Sequence, residues 1–418
     1  MIWIYNVSIA LYVLSIRIAA LFIKKAAQWV KGRTDIFKIL ENKFSHNSLP
    51  VAWFHAASLG EFEQARPVIE AFRKHYPNYK ILLTFFSPSG YEIRKNYIGA
   101  DDIVYLPADT KKNAAKFLTI VKPTIVLFVK YEFWFHYLNE IHKREIPLLL
   151  FSAIFRKEQP FFSKHTNFYK NMLPFFTWIF VQDQTSQKLL NTIGCLNTSA
   201  IGDTRFDRVK QLFDSRKELP VAAAFKNGGK LFIVGSAWNN DMEILFPFMN
   251  DPKYKNLKFI VAPHEIKEEE IKGWQKKINR KSILYSEASE QNIKDKEIMF
   301  INNIGMLSSL YQYAEYAWIG GAFGKGLHNI LEAATFGMPV FFGTNYKKFK
   351  EAKDLIHEGA AFSVKNSVDF ETLFSHLWGE ELKRKKLSEV ALQYVKNNTG
   401  ATNAIMHYIS SDLKLPNG

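Results

Sequence analysis

From residue 51 onward, short apolar runs alternate with stretches of helical length, and this alternation leaves few possible folds. Six runs rich in β-branched and aromatic residues lie in the first half: VAWFHA, KILLTFF, DIVYLP, TIVLFV, IPLLLFSA and WIFVQD. Six more lie in the second half: LFIVGSA, LKFIVAP, KSILYS, EIMFIN, YAWIGG and MPVFFG. Nearly continuous apolar strands between helices are typical of parallel sheets covered on both faces. The pattern therefore predicts an α/β chain with two doubly wound sheets.

The alternation is interrupted by the charged and then glycine-rich segment VKQLFDSRKELPVAAAFKNGGK, where we place a domain boundary. A chain of 418 residues is too long for one ordinary core. We assign residues 1–33 to an N-terminal helix, residues 34–215 to a first Rossmann-like domain and residues 216–418 to a second. The helical segment at about 367–412 is expected to pack across both halves. The two domains are expected to face each other across a cleft, with ligands beyond the carboxyl ends of the strands.

The segment MIWIYNVSIALYVLSIRIAALFIKK contains an apolar stretch of about 20 residues, the length that spans a bilayer. It has no basic segment before it, so a removable signal peptide is not predicted. The basic residues that follow it predict a cytoplasmic body; they are Lys24, Lys25, Lys31 and Arg33. A polar stripe favours a helix tilted across one leaflet or lying in the interface; it comprises Asn6, Arg17, Lys24, Gln28 and Lys31. The alternative is a soluble helix packed on the body.

The charge of the chain is uneven. Residues 1–210 carry 28 basic and 16 acidic side chains, whereas the remainder carries 27 and 24. The basic first half predicts an anionic partner such as a phosphorylated substrate or an acidic lipid. Nucleic acid is not predicted, because the sequence has no arginine-rich tract, zinc-finger spacing or RNP motif. Cys195 is the only cysteine, which predicts a reducing compartment, and no metal or other cofactor is predicted.

The segment HAASLGEFE, after the first strand of the body, has two interpretations. Ser58-Leu59-Gly60-Glu61 fits the S-x-x-E capping box, in which both side chains bind backbone N–H groups at a helix start. Alternatively, Glu61 stands at the mouth of a cleft and removes a proton from a substrate. The local pattern alone leaves both interpretations open.

Polar residues also follow other strands of the first half. Thr84 to Gly90 places small hydroxyl residues at a helix start, which suits a polar or anionic ligand. An ordinary Ser-Pro helix start is the alternative. Two further candidate segments are Lys130-Tyr131-Glu132-Phe133-Trp134 and Gly202-Asp203-Thr204-Arg205-Phe206-Asp207.

The segment WIGGAFGKGLHNILEAATFGMPVFFG is the richest in the second half. A strand is predicted to end at Gly320-Gly321, and a helix is predicted to begin near His328 after a glycine loop. Glycines allow close approach of the backbone to a phosphate, and a helix start supplies N–H donors. Glu332, one turn into that helix, can accept hydrogen bonds from ribose hydroxyls. We favour a nucleotide-sugar site over the alternative of a tight turn with a capped helix; neither the Walker A nor the G-x-G-x-x-G spacing is present.

Together these motifs resemble the 3-deoxy-D-manno-octulosonic acid (Kdo) transferases of lipopolysaccharide assembly, which have the GT-B glycosyltransferase fold. The resemblance covers nearly the whole chain, and four segments carry it: WFHAASLGEFEQARPVIE, LLTFFSPSG, GDTRFD and GGAFGKGLHNILEAATFGMPVFFG. It implies transfer of Kdo from CMP-Kdo to a hydroxyl of the lipid A precursor, with inversion. It also implies attachment to the inner membrane with the catalytic body on the cytoplasmic face.

The resemblance also implies roles for single residues. Glu61 corresponds to the general base, Glu132 is retained as a catalytic residue, and Arg205 supplies positive charge to the transition state. The implied donor-binding residues are Ser236, Pro263, His264, Gly305, Met306, Leu307, Gly320, Gly321, Gly326, His328, Asn329, Ile330, Leu331 and Glu332. The implied acceptor-binding residues are Ser58, Gly60, Thr84, Ser87, Ser89, Gly90 and Arg156.

The sequence departs from the family pattern at several positions. The family's P-R-H reads Ala262-Pro263-His264 here, its N-A-R reads Ser152-Ala153-Ile154, and its S-T-H reads Ser236-Ala237-Trp238. Two other functions stay open: a GT-B transferase that uses a UDP-sugar and a lipid-linked acceptor, and a non-catalytic protein that binds anionic lipid at the membrane surface.

Overall fold

The computed structural model describes residues 1–163, 167–324 and 326–415. It divides into two units, Met1–Arg208 with Thr399–Gly418, and Val209–Asn398. Within the described residues each unit has one parallel sheet of seven strands. Every predicted apolar run contains a strand, so the α/β prediction with two doubly wound sheets is confirmed.

The first sheet has the strand order β3-β2-β1-β4-β5-β6-β7. Its strands are β1 (Val51–Ala56), β2 (Lys80–Phe85), β3 (Asp102–Tyr105), β4 (Pro123–Val129), β5 (Leu148–Ala153), β6 (Trp178–Val181) and β7 (Thr198–Ala200). The helices that precede, connect and follow these strands are α1 (Ile2–Ala19), α2 (Lys24–Lys31), α3 (Ile36–Phe44), α4 (Leu59–His75), α5 (Pro88–Arg94), α6 (Lys111–Val121), α7 (Phe135–Lys143), α8 (Gln184–Thr192) and α9 (Thr204–Asp214).

The second sheet has the order β10-β11-β9-β8-β12-β13-β14. Its strands are β8 (Lys230–Ala237), β9 (Leu257–Pro263), β10 (Ser282–Leu284), β11 (Ile298–Phe300), β12 (Tyr316–Ile319), β13 (Val340–Phe342) and β14 (Ala361–Ser363). The remaining helices are α10 (Pro220–Lys226), α11 (Asn239–Asn250), α12 (Glu268–Lys276), α13 (Leu307–Leu310), α14 (Leu331–Ala334), α15 (Lys350–His357), α16 (Ser367–Ser375), α17 (Glu381–Asn397) and α18 (Ala401–Ser411). Short 3₁₀ turns span Pro160–Phe162, Lys170–Phe175, Pro252–Tyr254, Tyr285–Glu287 and Tyr311–Tyr313.

Both faces of the first sheet are covered, which explains its nearly continuous apolar strands. Along β1, Trp53 packs in the core on one face, and its neighbours Ala52 and Phe54 pack in the core on the other. This alternation follows from the two-residue period of a strand. All six residues of β1 are buried, so both faces favour apolar side chains.

The C-terminal helix α18 belongs to the first unit, although the sequence-based division placed residues 216–418 in the second domain. Its apolar residues Ile405, Met406 and Ile409 pack in the core beside α4. The carboxylate of Asp207 accepts hydrogen bonds from the backbone N–H groups of Gly400, at 2.6 Å, and Thr402, at 2.7 Å. The chain therefore returns to the first unit through long-range packing that local periodicity does not reveal.

Helix α1 is long and apolar enough to cross a membrane by length and composition. None of its residues is buried, yet its first turns contact the first unit. Tyr5 donates a hydrogen bond to Asp109, and Asn6 Oδ1 lies 2.6 Å from His136 Nε2. Tyr12 stacks on Phe86 with ring centroids 6.1 Å apart. One face of α1 is therefore held along the unit by polar and aromatic contacts.

Candidate active sites on the two units

The first candidate site lies at the carboxyl edge of the first sheet, where β1 and β4 are neighbours although they are not consecutive in the chain. At such a switch point the segments after adjacent strands diverge and leave room for a ligand. The segment after β1 carries Ser58 and Glu61, and the segment after β4 carries Lys130, Tyr131 and Glu132. The topology thus brings together residues that the sequence places about 70 positions apart.

Glu61 lies in the first turn of α4, and the capping-box alternative is wrong. Ser58 is the N-cap residue, but its side chain accepts no hydrogen bond from the helix backbone. Its hydroxyl instead donates to the carboxylate of Glu61. A donated O–H holds a carboxylate in one orientation. The serine therefore orients the predicted base.

Tyr131 and Arg156 share this edge with Glu61. Burial raises the pKa of the Tyr131 phenol, and the nearby carboxylates of Asp183 and Glu61 raise it further. The Arg156 guanidinium opposes this shift through its charge and a hydrogen bond to the phenol. Arg156, a predicted acceptor-binding residue, is thus tied to Tyr131, which lies in a candidate segment but had no predicted role of its own.

Glu132 is buried in a polar network rather than exposed at the edge. Its Oε2 lies 2.9 Å from His55 Nε2 and accepts a hydrogen bond of 2.6 Å from Trp134 Nε1. The other ring nitrogen of His55 lies 2.8 Å from Thr84 Oγ1. Buried charges require such partners. The structure therefore places Glu132 as a support beneath the edge, and a direct role in transfer stays a prediction.

Thr84 does not lie at the ligand surface as predicted. It is the fifth residue of β2 and is fully buried. Its hydroxyl accepts a hydrogen bond of 2.8 Å from the Trp53 indole in addition to its contact with His55. Because β2 continues one residue beyond Thr84, this side chain lies inside the sheet. It contacts Trp53 and His55 there instead of the predicted acceptor.

The start of α5 is a capped Ser-Pro helix start, and acceptor binding there stays a prediction. Ser87 caps the helix by accepting a hydrogen bond from the N–H of Ser89, and the two hydroxyls lie 3.0 Å apart. Gly90 is buried, and a Cβ there would lie 2.3 Å from the Phe85 ring and 3.1 Å from the Ser58 carbonyl carbon. Gly90 therefore allows α5 to approach the turn that carries Ser58. Gly60 is exposed, and a Cβ there would meet only the Ser58 hydroxyl, at 3.8 Å.

Arg205 is paired with Asp203 at the start of α9. Its Nε donates a hydrogen bond of 2.8 Å to Asp203 Oδ2, and Asp203 Oδ1 accepts another from Gln64. Burial opposes the charge on Asp203, but Arg205 and the hydrogen bonds hold the pKa of this carboxyl below its usual value. The predicted cation is therefore present in an ordered, charge-paired position.

The second candidate site lies at the switch point of the second sheet, between β8 and β12. Trp238, after β8, donates from its indole nitrogen to His328 Nε2 at 2.9 Å. The rings of Trp238 and His264 stack with centroids 4.6 Å apart, and those of His264 and His328 with centroids 4.2 Å apart. Two predicted donor-binding histidines thus form one stack with Trp238, which occupies the position of the family's histidine.

Asp241 joins the turn after β8 to the turn after β12, and it was not among the predicted site residues. Its buried carboxylate accepts hydrogen bonds from the N–H groups of Trp238 and Gly321, each at 3.0 Å, and from the Trp318 indole at 3.2 Å. Burial raises the pKa of Asp241, although these donors oppose the shift. Asp241 lies three positions after the N-cap residue Trp238. An acidic residue at this spacing is typical of a helix start, and this was the one feature of the sequence that could have indicated its role.

The turn after β12, which contains Gly320, Gly321 and Gly326 and is called the glycine turn below, depends on the absence of side chains at its glycines. Gly321 has φ +94°, and a Cβ there would lie 2.4 Å from the Gly326 carbonyl oxygen and 2.7 Å from the His328 ring. At Gly320 a Cβ would lie 2.2 Å from the Ser236 carbonyl oxygen. Ser236 itself has φ +52°, a conformation that non-glycine residues rarely adopt. Protein segments thus approach each other closely at these glycines, and close approach of the backbone to a phosphate stays a prediction.

The helix after the glycine turn begins later than predicted. It spans Leu331–Ala334, and His328 lies before it in a coil segment. The backbone N–H of His328 donates a hydrogen bond of 3.2 Å to the Gly320 carbonyl oxygen. The Asn329 side chain is exposed and donates to Glu332 Oε1 at 3.2 Å. Ile330 and Leu331 are fully buried, so their side chains cannot touch a ligand and only their backbone is available to one.

The remaining predicted donor residues lie on separate turns of the second unit. Gly305 has φ +94°, Met306 is the buried residue before α13, and Leu307 begins that helix. Pro263 ends β9, and the N–H of His264 donates to the Ala237 carbonyl oxygen at 2.9 Å. This hydrogen bond joins the segment after β9 to the end of β8.

A cavity of about 720 Å³ borders the glycine turn. It is lined by Gly324, Gly326, Thr344, Asn345, Tyr346, Lys347, Lys348, Phe349, Ser363 and Lys365. Three lysines and several hydroxyl groups suit an anionic ligand. No sequence motif marks these lysines, because each lies in a loop.

We expect His328 to titrate at about pH 4 when followed by NMR, with a His328→Gln variant assigning its resonance. Burial and the neighbouring His264 lower the pKa of His328 to about 4. Because the unfolded imidazole has a pKa of about 6.5, its neutral state stabilises the fold fully above pH 6.5. This contribution is lost as the pH falls from 6.5 towards 4.

Trp238→Phe is the matched test of the hydrogen bond. The change removes the donor that stabilises neutral His328 while keeping an aromatic ring, so the pKa of His328 should rise. Protonation of His328 near pH 6.5 in the unmodified protein would contradict this account.

Across residues 1–163, 167–324 and 326–415, no group of three or more His, Cys, Asp or Glu side chains is arranged to hold a metal ion. The expectation that no cofactor is needed stays a prediction.

Comparisons with known proteins agree with the motifs. Residues 31–208 match the family model described as 3-deoxy-D-manno-octulosonic-acid transferase (Kdo transferase). The transferase of Rickettsia prowazekii is 28% identical over 368 residues, which cover 86% of this chain and 78% of the relative. That of Aquifex aeolicus is 27% identical over 350 residues, covering 82% and 91%.

Among solved structures, MnaA of S. aureus in complex with UDP has a TM-score of 0.59 at 13% identity, covering 88% of this chain and 98% of the other. This likeness shows the fold alone, and it agrees with the GT-B class. Taken together, the family model and the sequence relatives show that the chain is similar to glycosyltransferases of the Kdo transferase family.

Proposed function

We propose that this protein transfers Kdo from CMP-Kdo to a hydroxyl of the lipid A precursor, with inversion at the sugar carbon. The observation that carries the proposal is the oriented carboxylate of Glu61, held by Ser58 beside Tyr131 and Arg156 at the carboxyl edge of the first sheet. Relatives named as Kdo transferases support the choice of sugar.

Glu61 acts as the general base in this proposal. The acceptor oxygen attacks the sugar carbon, the bond to the CMP oxygen breaks, and the acceptor proton passes to the Glu61 carboxylate. The transition state has oxocarbenium character, so negative charge grows on the leaving phosphate. Arg205 and Arg156 are the ordered cations of the first unit that we assign to the anionic groups of the substrates.

The second unit binds the donor. The glycine turn brings backbone N–H groups close to a phosphate, as in other anion sites. The lysine-lined cavity of about 720 Å³ beside it falls within the usual size range of small-molecule sites. Asn329 and Glu332 are the exposed or partly exposed polar groups that we assign to the nucleoside. Backbone donors and cationic side chains stabilise the leaving group, so the proposal needs no metal ion.

The acceptor is a membrane lipid, and we propose that α1 holds the protein at the cytoplasmic face of the inner membrane. Apolar residues of α1 and the following turn are exposed, among them Trp3, Leu11, Leu14, Leu21 and Phe22. Basic residues follow this segment and favour an anionic surface. The basic first unit and its apolar helix therefore serve one substrate that is both anionic and lipid-anchored.

Nucleotide competition tests the donor assignment. In a transfer assay of the full chain, CMP should inhibit competitively and protect the second unit from proteolysis, whereas UDP at the same concentration should do neither. Protection by UDP alone would favour the rival GT-B transferase that uses a UDP-sugar. Vesicle binding without consumption of any activated sugar would instead favour the non-catalytic lipid-binding protein.

A further inference from the structure

A basic cavity lies beside α1 of the first unit, apart from the residues assigned to transfer. Its volume is about 480 Å³, and α1, α2, α3, the loop after β3 and the start of α6 contribute its walls. The polar wall contains Arg17, Arg33, Thr34, Lys38 and Asn113. Apolar walls come from Val13, Trp29, Val30, Ile36 and Phe37. This combination suits a ligand with an anionic head and an apolar neighbour.

Arg33 is the fixed cation of the cavity. Its guanidinium donates to the carbonyl oxygens of Leu106 and Phe86, each at 2.8 Å, and to that of Trp29 at 3.2 Å. The guanidinium carbon also lies 3.8 Å from the centre of the Trp29 ring. Burial lowers the pKa of Arg33 to about 9, which leaves it charged at neutral pH. These partners, three backbone carbonyls and an aromatic ring, are neutral, so they hold the guanidinium in place without cancelling its positive charge.

Two more cations reach the same cavity from different helices. Arg17 comes from the last turn of α1, and Lys38 comes from α3; both side chains are exposed. Within the described ranges, neither forms an ion pair under 4.0 Å. The carboxylate of Asp35 also lines the cavity, so the lining carries a net charge of +2 from three cations and one anion.

The cavity lies at the level of the exposed apolar residues of α1. Val13 and Arg17 are one helical turn apart and line it, while Leu11, Leu14 and Ile18 of the same helix are exposed. A helix that presents such residues to a leaflet places adjacent basic groups at headgroup depth. The contacts of Tyr5 and Tyr12 with the unit keep α1 in this orientation.

We propose that this cavity binds the headgroup phosphate of an anionic phospholipid, between Arg17, Arg33 and Lys38. The proposal rests on the membrane attachment proposed above, but it assigns a defined site rather than diffuse attraction. Arginine and lysine together suit a phosphate oxygen cluster, and the apolar wall accommodates the glycerol and the first acyl carbons. The site would hold the enzyme at a fixed depth while the acceptor lipid reaches Glu61.

Vesicle flotation of the full chain tests the site. The Arg17→Gln/Lys38→Gln variant should bind vesicles of phosphatidylcholine with phosphatidylglycerol about tenfold or more weakly than the unmodified protein. The matched control is Lys143→Gln/Lys188→Gln, which removes the same charge from exposed positions of α7 and α8 in the same unit. It should change binding by about twofold or less. Thermal unfolding midpoints of both variants establish that they fold.

Three outcomes would overturn the proposal. The first is equal weakening by the two double variants, and the second is undiminished binding when phosphatidylglycerol is replaced by an anionic lipid with a carboxylate headgroup. The third is tight binding of inorganic phosphate without vesicles and no preference for phosphatidylglycerol, which would assign the cavity to free phosphate.

A transfer assay on detergent-solubilised acceptor separates this site from the acceptor site. The Arg17→Gln/Lys38→Gln variant should keep the activity of the unmodified protein under these conditions. Loss of activity there would assign the cavity to the acceptor's own phosphate and overturn the phospholipid site. Because flotation requires no transfer, failure of the proposed reaction would be visible separately, as an inactive unmodified protein that still binds vesicles.

Discussion

Glu61→Gln is expected to lower the rate of Kdo transfer by about 10²- to 10⁴-fold, the usual contribution of a general base. The amide keeps the shape of the side chain and still accepts a hydrogen bond from Ser58, so the turn should be preserved. It cannot take the acceptor proton. The KM for CMP-Kdo should change little, because the donor is assigned to the second unit. Steady-state kinetics with a fixed lipid acceptor measure both quantities.

Glu158→Gln is the matched control for this change. Glu158 is exposed in the same unit, two positions after Arg156, and has no assigned role. It should transfer Kdo at the rate of the unmodified protein. A Glu61→Gln variant that is folded and fully active would remove Glu61 from the chemistry, and an inactive Glu158→Gln variant would show that any charge loss at this edge is sufficient.

Gly321→Ala is expected to lower kcat/KM for CMP-Kdo by about 10²-fold, mainly through weaker donor binding. Two effects contribute. The residue has φ +94°, which is unfavourable for alanine by about 1–2 kcal/mol. In addition, the new methyl group would lie 2.4 Å from the backbone oxygen of Gly326 and 2.7 Å from the His328 ring. The turn must therefore move, and the histidine stack must move with it.

Gly379→Ala separates these two effects. Gly379 lies in the same unit with φ +88°, and a Cβ there would have no neighbour within 4 Å. This control carries the conformational penalty without the clash, so it should lose some thermal stability and keep its donor KM. If both variants bound CMP-Kdo equally well, the close packing of the glycine turn would have no role in donor binding.

The strands and the positions of the site segments could be predicted from the sequence, because buried parallel strands are continuous apolar runs and ligand residues follow them. β7 and β14 are exceptions. Thr198–Ala200 and Ala361–Ser363 are three residues long and include hydroxyl side chains, so no apolar run marks them. Pairing with a neighbouring strand, rather than local pattern, makes them strands.

Side-chain environment was harder to predict than position. Thr84 and Glu132 follow the motif, yet Trp53, His55 and Trp134 bind them within the interior. A motif indicates where a residue lies along the chain but not which way it points at the end of a strand. Asp241 shows the converse. No motif marks it, and its role comes from three N–H donors on two segments, the turn after β8 and the end of β12.

The helix start at Leu331 and the place of α18 have the same physical explanation. The N–H of His328 bonds to the Gly320 carbonyl oxygen, so the segment from His328 to Ile330 is held to the turn and not to a helix. The apolar residues of α18 pack in the core of a distant part of the chain. Both features depend on contacts between residues that are remote or irregular in sequence, which helical periodicity does not encode.

Incubation of the full chain with CMP-Kdo and the lipid A precursor, followed by mass spectrometry of the lipid, tests the central claim most directly. The claim is that the chain transfers Kdo to the lipid and that Glu61 is the general base. It predicts a lipid product heavier by Kdo, formed by the unmodified protein and by Glu158→Gln but not by Glu61→Gln. The claim would be contradicted if the protein were folded and the lipid stayed unchanged, whether CMP-Kdo remained intact or was only hydrolysed.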